Sequence, residues 1–320
     1  MQKIAIVIDP AHRNWVLGGL FRDVHESDRD FFSRTKVISH YRSKYLPLSL
    51  FNILILVISK RPILFSSITP LENFTKLSKF KSNMKILWFT HQPENLSINS
   101  DTLVKKADLI FVHSKNEKKR LRSIGVTTPI TVLVGAIRPE LFSKQIQGGD
   151  KIVYIGTSSE RKNTKIFLDF ARKNPRLKFK ILGKNWQNSN SLRICQSIKN
   201  VEFIGLERQI SYHDLIGCSH HIVLSSVEGG PISLIESVAA GLIPICTNVG
   251  IASQFLDECG YKNQIIDFPI TDEKIHQKLN NSYRESEVKY AREVALKYTV
   301  DLFSSRMKTD IIKYRFLFGK

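Results

Sequence analysis

Cysteine is scarce in this chain of 320 residues, which has only Cys195, Cys218, Cys246 and Cys259. They lie far apart, without the pairing of a cysteine metal site or of a disulfide framework, so a reducing, cytoplasmic compartment is the default expectation. Long hydrophobic runs are missing too. The most apolar stretch, Leu46–Ser59, is interrupted by Ser49 and Asn52. It falls short of the roughly 20 residues that a spanning helix needs. The opening residues MQKIAIVIDP enter a strand pattern at once, with no signal-peptide layout. No membrane crossing is expected. Acidic residues are under-supplied: 29 Asp and Glu stand against 48 Lys and Arg, a formal net charge of +19. About 12 of those charges fall in residues 1–146. Such a balance favours anionic partners: nucleic acid, an anionic membrane surface or a phosphorylated substrate. It also fits lysine and arginine spread over solvated faces. No recognition-helix motif or aromatic stacking array supports nucleic acid.

What is present is the composition of a globular protein, 42% apolar and 24% charged, in a chain comfortable for two domains. Short apolar runs alternate with helical patterns throughout. In the first half, strands are expected at Lys3–Asp9, Ile63–Ser66, Ile86–Thr90, Ala107–Val112 and Ile130–Val134. Helices are expected from about Leu20, over Leu46–Lys60 as a buried helix, over Leu71–Lys81 and over Asn116–Ser123. The second half repeats the alternation from Ile152, and the sum predicts parallel sheets covered on both faces. The polar segment Ser143–Asp150 reads as an interdomain linker. Asp23, Glu26, Asp28 and Asp30 read as a solvated helix face.

The stretch that the rest of the chain is built to serve is LSSVEGGPISLIESVAAGLIPICTNVG, Leu224–Gly250. It reads as a strand end, a turn at Val227–Gly230, a short helix and a further strand. Pro231 suits the first helical position and Gly241 the position just past the end. Glu228 falls in the turn and Glu236 about one and a half turns into the helix. Gly229 and Gly230 let a ligand approach the backbone, and the helix start offers N–H groups to a phosphate. A phosphate flanked by carboxylates fits a nucleotide sugar. An ordinary strand-turn-helix with a capping glutamate fits the spacing equally well.

The segment EGGPISLIESVAAG resembles the signature of retaining glycosyltransferases of the family-four type, the group 1 glycosyl transferases. The resemblance implies the GT-B fold: α/β, two Rossmann-like parallel-sheet domains facing a central cleft, with a C-terminal helix crossing back to the first. On that reading residues 1–146 bind the acceptor, 147–297 bind the nucleotide sugar, and 298–320 form the returning helix. It implies that Glu228 lies by the donor sugar, as nucleophile or electrostatic stabiliser, and that Glu236 holds the ribose. The motif FTHQP is similar to the position whose histidine faces the transferred sugar, which is His91 here. A strand-end histidine capping its loop is the plainer alternative. Gly18 and Gly19 look like the family's glycine-bearing loop after the first strand, although such a pair is often a plain turn. Gly183 and Gly205, at strand ends, fall where relatives approach the nucleobase.

The strand Ile152–Gly156 followed by TSSERKN and a helix describes a phosphate cradle. Lys162 matches the family's lysine there, but Thr157 stands where relatives carry arginine. Either Arg161 supplies the missing guanidinium, or diphosphate binding is weaker, or the chain is inactive. Arg138 replaces an acidic residue common in relatives, and nothing explains the change. His213, His220 and His221 lie close in sequence but have no further ligand at metal-type spacing. The expectation is therefore a transferase using a nucleotide-diphosphate sugar, without metal or other cofactor, on a saccharide or lipid-linked acceptor of the cell envelope. It would be cytoplasmic or peripheral on the inner membrane face. A non-catalytic subunit of the same fold, binding a nucleotide sugar or a partner enzyme, is the alternative.

Overall fold

The computed structural model describes residues 2–8, 16–38, 45–77, 83–89, 100–184, 186, 190–206 and 209–318. They form two compact units, Met1–Ala136 with Val300–Lys320, and Ile137–Thr299.

In the first unit, strands β1 (Ile4–Ile8), β2 (Phe32–Val37), β3 (Ile63–Phe65), β4 (Lys85–Phe89), β5 (Leu109–Val112) and β6 (Ile130–Val132) alternate with helices. The helices are α1 (Val16–Ser27), α2 (Leu46–Ser59), α3 (Ile68–Leu77), α4 (Ser100–Val104) and α5 (Lys115–Ser123). All strand pairs are parallel, in the order β2-β1-β3-β4-β5-β6. Central strands of such a sheet are covered on both faces, which is why β1, β3 and β5 are buried at every residue. β2, on the edge, is polar enough to give no strand pattern in sequence.

In the second unit β7 (Lys151–Ile155), β8 (Lys178–Gly183), β9 (Val201–Gly205), β10 (Cys218–Val223), β11 (Ile243–Thr247) and β12 (Ile265–Ile266) form another parallel sheet. Their order is β12-β11-β10-β7-β8-β9. Between and after them lie α6 (Thr164–Lys173), α7 (Asn190–Ser197), α8 (Tyr212–Leu215), α9 (Ile232–Ala239), α10 (Ala252–Glu258), α11 (Asp272–Leu279) and α12 (Glu285–Ala295). The chain runs outward from β7 to β9, then returns to the other side of β7 with β10. The direction of winding therefore reverses between β7 and β10, and open α/β sheets leave a crevice at the carboxyl ends of such strands. Phe167, Phe170, Phe179 and Trp186 fill the core beneath.

The last helix, α13 (Val300–Phe318), belongs to the first unit. Phe303, Met307 and Ile311 are buried. The Phe303 ring stands 4.9 Å from Trp88, and Lys308 Nζ donates to Asp28 at 2.6 Å. That bond holds the Asp28 carboxyl below its usual pKa against the opposing effect of burial.

Several sequence expectations need correction. Gly18 and Gly19 lie within α1, not in a loop. α2 forms where expected but is not buried: Phe51, Leu54 and Ile58 are 61%, 56% and 70% exposed. Asp23 is buried, and Asp28 is engaged by Lys308 and by the Phe31 N–H, so the acidic cluster is not simply a solvated face. Pro231 occupies the cap before α9 and not its first turn. The segment 143–150 is bonded into the second unit, with the Ile146 N–H on Ala240 O at 2.8 Å and the Asp150 N–H on Gly217 O at 3.2 Å. All four cysteines are free and buried. Among the described residues no helix is long and apolar enough to cross a membrane.

Candidate functional site

The site is built from the two loops that leave β7 and β10, on either side of the reversal. β7 is followed by Gly156, whose φ of +150° and missing Cβ let the Lys162 side chain lie across it. A Cβ there would stand 3.1 Å from Cδ and Cε of Lys162 and 3.2 Å from its Nζ. The turn is held from beneath: the Gly156 N–H donates to Leu182 O at 2.8 Å and its carbonyl accepts from Trp186 Nε1 at 2.9 Å. Thr164 Oγ1 accepts from the Ser159 N–H at 3.2 Å and meets the Tyr154 hydroxyl at 3.0 Å.

Asn163 closes this loop in the left-handed conformation, φ 50°, which Asn tolerates better than most residues. Its Nδ2 donates to Leu224 O at 2.7 Å and so ties the loop to the end of β10. A second tie follows, since the Ser226 N–H donates to Arg161 O at 2.8 Å. The two loops are thereby fixed in register, and three side chains converge on one oxygen. Lys162 Nζ lies 2.6 Å from Glu228 Oε1, Arg161 Nη1 lies 2.9 Å from it, and Ser225 Oγ donates to it at 3.0 Å. Arg161 Nη1 also donates to Val227 O at 2.6 Å. The Glu228 and Lys162 side chains are only 10% and 17% exposed.

Beyond the carboxylate the chain passes Gly229 and Gly230 to Pro231 and enters α9. Among the described residues the N–H groups of Ile232 and Ser233 meet no backbone acceptor, as is usual for a first helical turn. Two cations against one carboxylate, beside the positive end of a helix, leave a net positive crevice. Arg161 thus brings a second cation to the Glu228 carboxylate. Thr157 does not join the cluster, and its carbonyl accepts from the Tyr154 hydroxyl at 3.3 Å.

Glu236 is in another situation. It is fully buried, and neither carboxyl oxygen accepts a hydrogen bond in good geometry. Burial raises its pKa to about 8, partly offset by the approach of the Gln209 side chain. No hydrogen bond or ion pair joins it to Glu228, Lys162 or Arg161. Next to it, Ser237 Oγ donates to Leu234 O at 3.0 Å and stands 2.8 Å from His221 Nδ1. With its proton so placed the hydroxyl must accept from the imidazole, which makes Nδ1 the protonated nitrogen. Burial, helped by Lys162, drives the His221 pKa down to about 3, so the ring is neutral.

Gly183 and Gly205 are paired at the ends of β8 and β9. A Cβ on Gly183 would lie 2.0 Å from Gly156 O, so this glycine is required by backbone packing under the turn. Gly205 has no such neighbour. His91 lies outside the described residues. Four residues that join the site carry little signal in sequence: Ser225, Asn163, Thr247 and Gly250. Thr247 Oγ1 donates to Ser225 O at 2.6 Å. Gly250, φ +55°, sits where a Cβ would be 2.5 Å from Gly229 O. Among the described residues no group of three His, Cys, Asp or Glu is placed to hold a metal ion. The lone Asp-x-Asp triplet, Asp28-Arg29-Asp30, has Asp28 on Lys308 and Asp30 within 3.8 Å of Lys3.

Residues 138–294, nearly the whole second unit, match the family model of glycosyl transferases group 1. The second unit carries a glycosyl transferases group 1 domain. Over the full chain the fold is GT-B. Sucrose-phosphate synthase from Thermosynechococcus elongatus superposes with a TM-score of 0.76 at 14% identity, over 99% of this chain and 100% of that one. HepE from Anabaena, solved with UDP and glucose, gives 0.76 at 12% identity over 98% and 100%. The lipopolysaccharide outer core galactosyltransferase WaaB gives 0.67 at 12% identity over 98% and 99%. No curated protein sequence matches the chain.

Proposed function

We propose that this GT-B protein is a glycosyltransferase that moves a sugar from a nucleoside-diphosphate sugar to a saccharide or lipid-linked acceptor, with retention of configuration. The convergence of Lys162 and Arg161 on Glu228, at the reversal of the second sheet and beside the start of α9, carries this reading. As the anomeric C–O bond breaks, charge develops on the departing diphosphate. Lys162, the Arg161 guanidinium and the α9 N–H groups are fixed in advance where that charge appears, which is the arrangement that lowers such a barrier most. The leaving phosphate oxygen takes the proton from the acceptor hydroxyl, so no protein base is required.

Glu236 would hold the ribose. Two hydroxyls bonding its buried oxygens would satisfy groups that are otherwise costly to leave unpaired. Glu228 stands beside the sugar, where it is now held by three donors. The positive charge comes from side chains already in place, so neither a divalent cation nor another cofactor has a part in this scheme. The HepE structure with UDP and glucose supports a uridine or similar donor, while the basic first half favours an acceptor at an anionic membrane surface on the cytoplasmic side. Polysaccharide or glycolipid synthesis for the cell envelope is the setting this implies. Turnover of a panel of UDP- and GDP-sugars, read as released nucleotide and as the anomeric configuration of the product, tests the proposal. Nucleotide binding without turnover would favour a non-catalytic subunit, for which Thr157 in place of arginine speaks.

A further inference from the structure

α2 has its polarity inside out. At about 100° per residue, Pro47, Leu48, Leu50, Phe51, Leu54, Ile55 and Ile58 fall on one side of the helix. That side faces outward: Leu48 and Leu50 are each 47% exposed, and Ile58 reaches 70%. The inward side carries the helix's polar Ser49 and Asn52 together with Ile53 and Leu56. Asn52 Nδ2 donates to Val37 O at 3.1 Å, and Ser49 Oγ donates to Tyr45 O at 3.0 Å. A helix on a protein surface in water shows the reverse order, and a contiguous apolar side of this kind marks an interaction site.

What covers it is indicated by the charge beside it. The flank of α2 at Ile55, Leu56 and Ser59 opens into a cavity of about 620 Å³. Its other walls include Lys3, His25, Arg29, Lys36 and Arg61, and no carboxylate is among the described lining residues. Lys3 is partly offset by Asp30 at 3.8 Å. Lys60 and Arg61 follow directly on the end of the helix. An apolar stripe bordered by a cationic cavity matches the depth profile of a phospholipid leaflet, acyl chains beneath a layer of phosphates. A second copy of the chain fits poorly, because a symmetric contact would bring two such cationic cavities together in a protein already at +19. At 14 residues the helix is too short to span a bilayer, which takes roughly 20.

We infer that α2 lies flat in the interface of an anionic phospholipid membrane, with Phe51, Leu54 and Ile58 among the acyl chains and lipid phosphates in the adjoining basic cavity. This surface extends the membrane side of the proposed function and depends on no step of the transfer chemistry.

The test is sedimentation of the full chain with vesicles of phosphatidylglycerol and phosphatidylcholine, and with phosphatidylcholine alone. Binding to the mixed vesicles is expected, with much less to the neutral ones. Phe51→Ser with Leu54→Ser and Ile58→Ser should weaken it at least tenfold. Lys36→Ala and Arg61→Ala should each weaken it about fivefold, the value of one interfacial cation. All these variants should melt close to the parent, since Phe51, Leu54, Ile58 and Arg61 are exposed and Lys36 is half-buried on the edge strand β2, and should still bind UDP or GDP. Absence of binding to anionic vesicles overturns the inference, as do apolar-face variants that sediment like the parent. A dimer in analytical ultracentrifugation that the triple serine variant dissolves would assign the face to a second copy instead. Retained nucleotide binding in the same samples separates failure here from failure of the proposed function.

Discussion

Lys162 Nζ and Glu228 Oε1, 66 positions apart in the chain, meet at 2.6 Å. The contact joins the loop after β7 to the loop after β10 and sets the charge of the site before any ligand arrives. On the proposed function, Glu228 would compete with a diphosphate for the same two cations. Glu228→Gln should tighten the binding of UDP or GDP, measured by calorimetry, by several-fold, while transfer falls about 10²–10³-fold, the usual cost of losing a group that acts in the transition state. A variant that turns over like the parent would remove Glu228 from the chemistry.

Lys162→Ala and Arg161→Ala should both lose nucleotide affinity and turnover. They differ in what a conservative replacement rescues. Arg161 Nη1 bonds both Val227 O and Glu228 Oε1. A lysine ammonium at position 161 keeps the charge but loses the planar fork. Arg161→Lys should recover binding more than kcat, because the fork is wanted where charge develops on the leaving group. Equal recovery of both would mean that Arg161 is only a point charge, and that Thr157 marks a real loss at this site.

Glu236 gives a pH dependence whose sign is determined by burial. Its carboxyl has a pKa of about 8 in the folded chain against an ordinary value of 4.5. Between those values the native state holds a proton that the unfolded state has released, so stability falls as pH rises through this window. The stabilising protonated form is complete below the lower value and lost above the upper one. Melting temperature of the ligand-free protein should decline from pH 5 to pH 8 more steeply than that of Glu236→Gln. Nucleotide affinity should fall in the same variant while that of a bare diphosphate is kept. Parallel melting curves would show that the carboxyl is not desolvated as described.

How far the chain could be read before its structure was known depended on where the information lies. Lys162, Arg161 and Glu228 were legible because each follows a short apolar strand within a few residues, and parallel sheets place such positions at one edge. Their mutual contacts were not, since the ties through Asn163, Ser225 and Thr247 cross between loops distant in sequence. Gly18 and Gly19 read as a loop by resemblance to the family's glycine-bearing loop after the first strand, yet α1 takes them in, with Leu20, Phe21 and Val24 buried beyond them. α2 was misjudged for a different reason. Apolar residues on every side of a helix say that it will be covered, and they do not say by what.

Gly183 and Gly205 make a controlled pair, because they sit opposite each other at the ends of β8 and β9 and neither has a positive φ. Only the space differs. An alanine Cβ at 183 would stand 2.0 Å from Gly156 O and 2.8 Å from Trp186 Nε1, and the backbone oxygen cannot turn aside. At 205 the nearest atom is Phe203 Cε1 at 3.9 Å, an ordinary contact. Gly183→Ala should therefore cost about 3 kcal/mol, at the upper end of overpacking changes, and lower the melting temperature by roughly 6–12 °C for a unit of this size. Gly205→Ala should stay within about 0.5 kcal/mol of the parent. The displaced Gly156 is the residue across which Lys162 lies, so Gly183→Ala should also weaken nucleoside-diphosphate binding at temperatures where the variant is still folded. An undiminished affinity there would mean that the position of Lys162 does not depend on the turn beneath it.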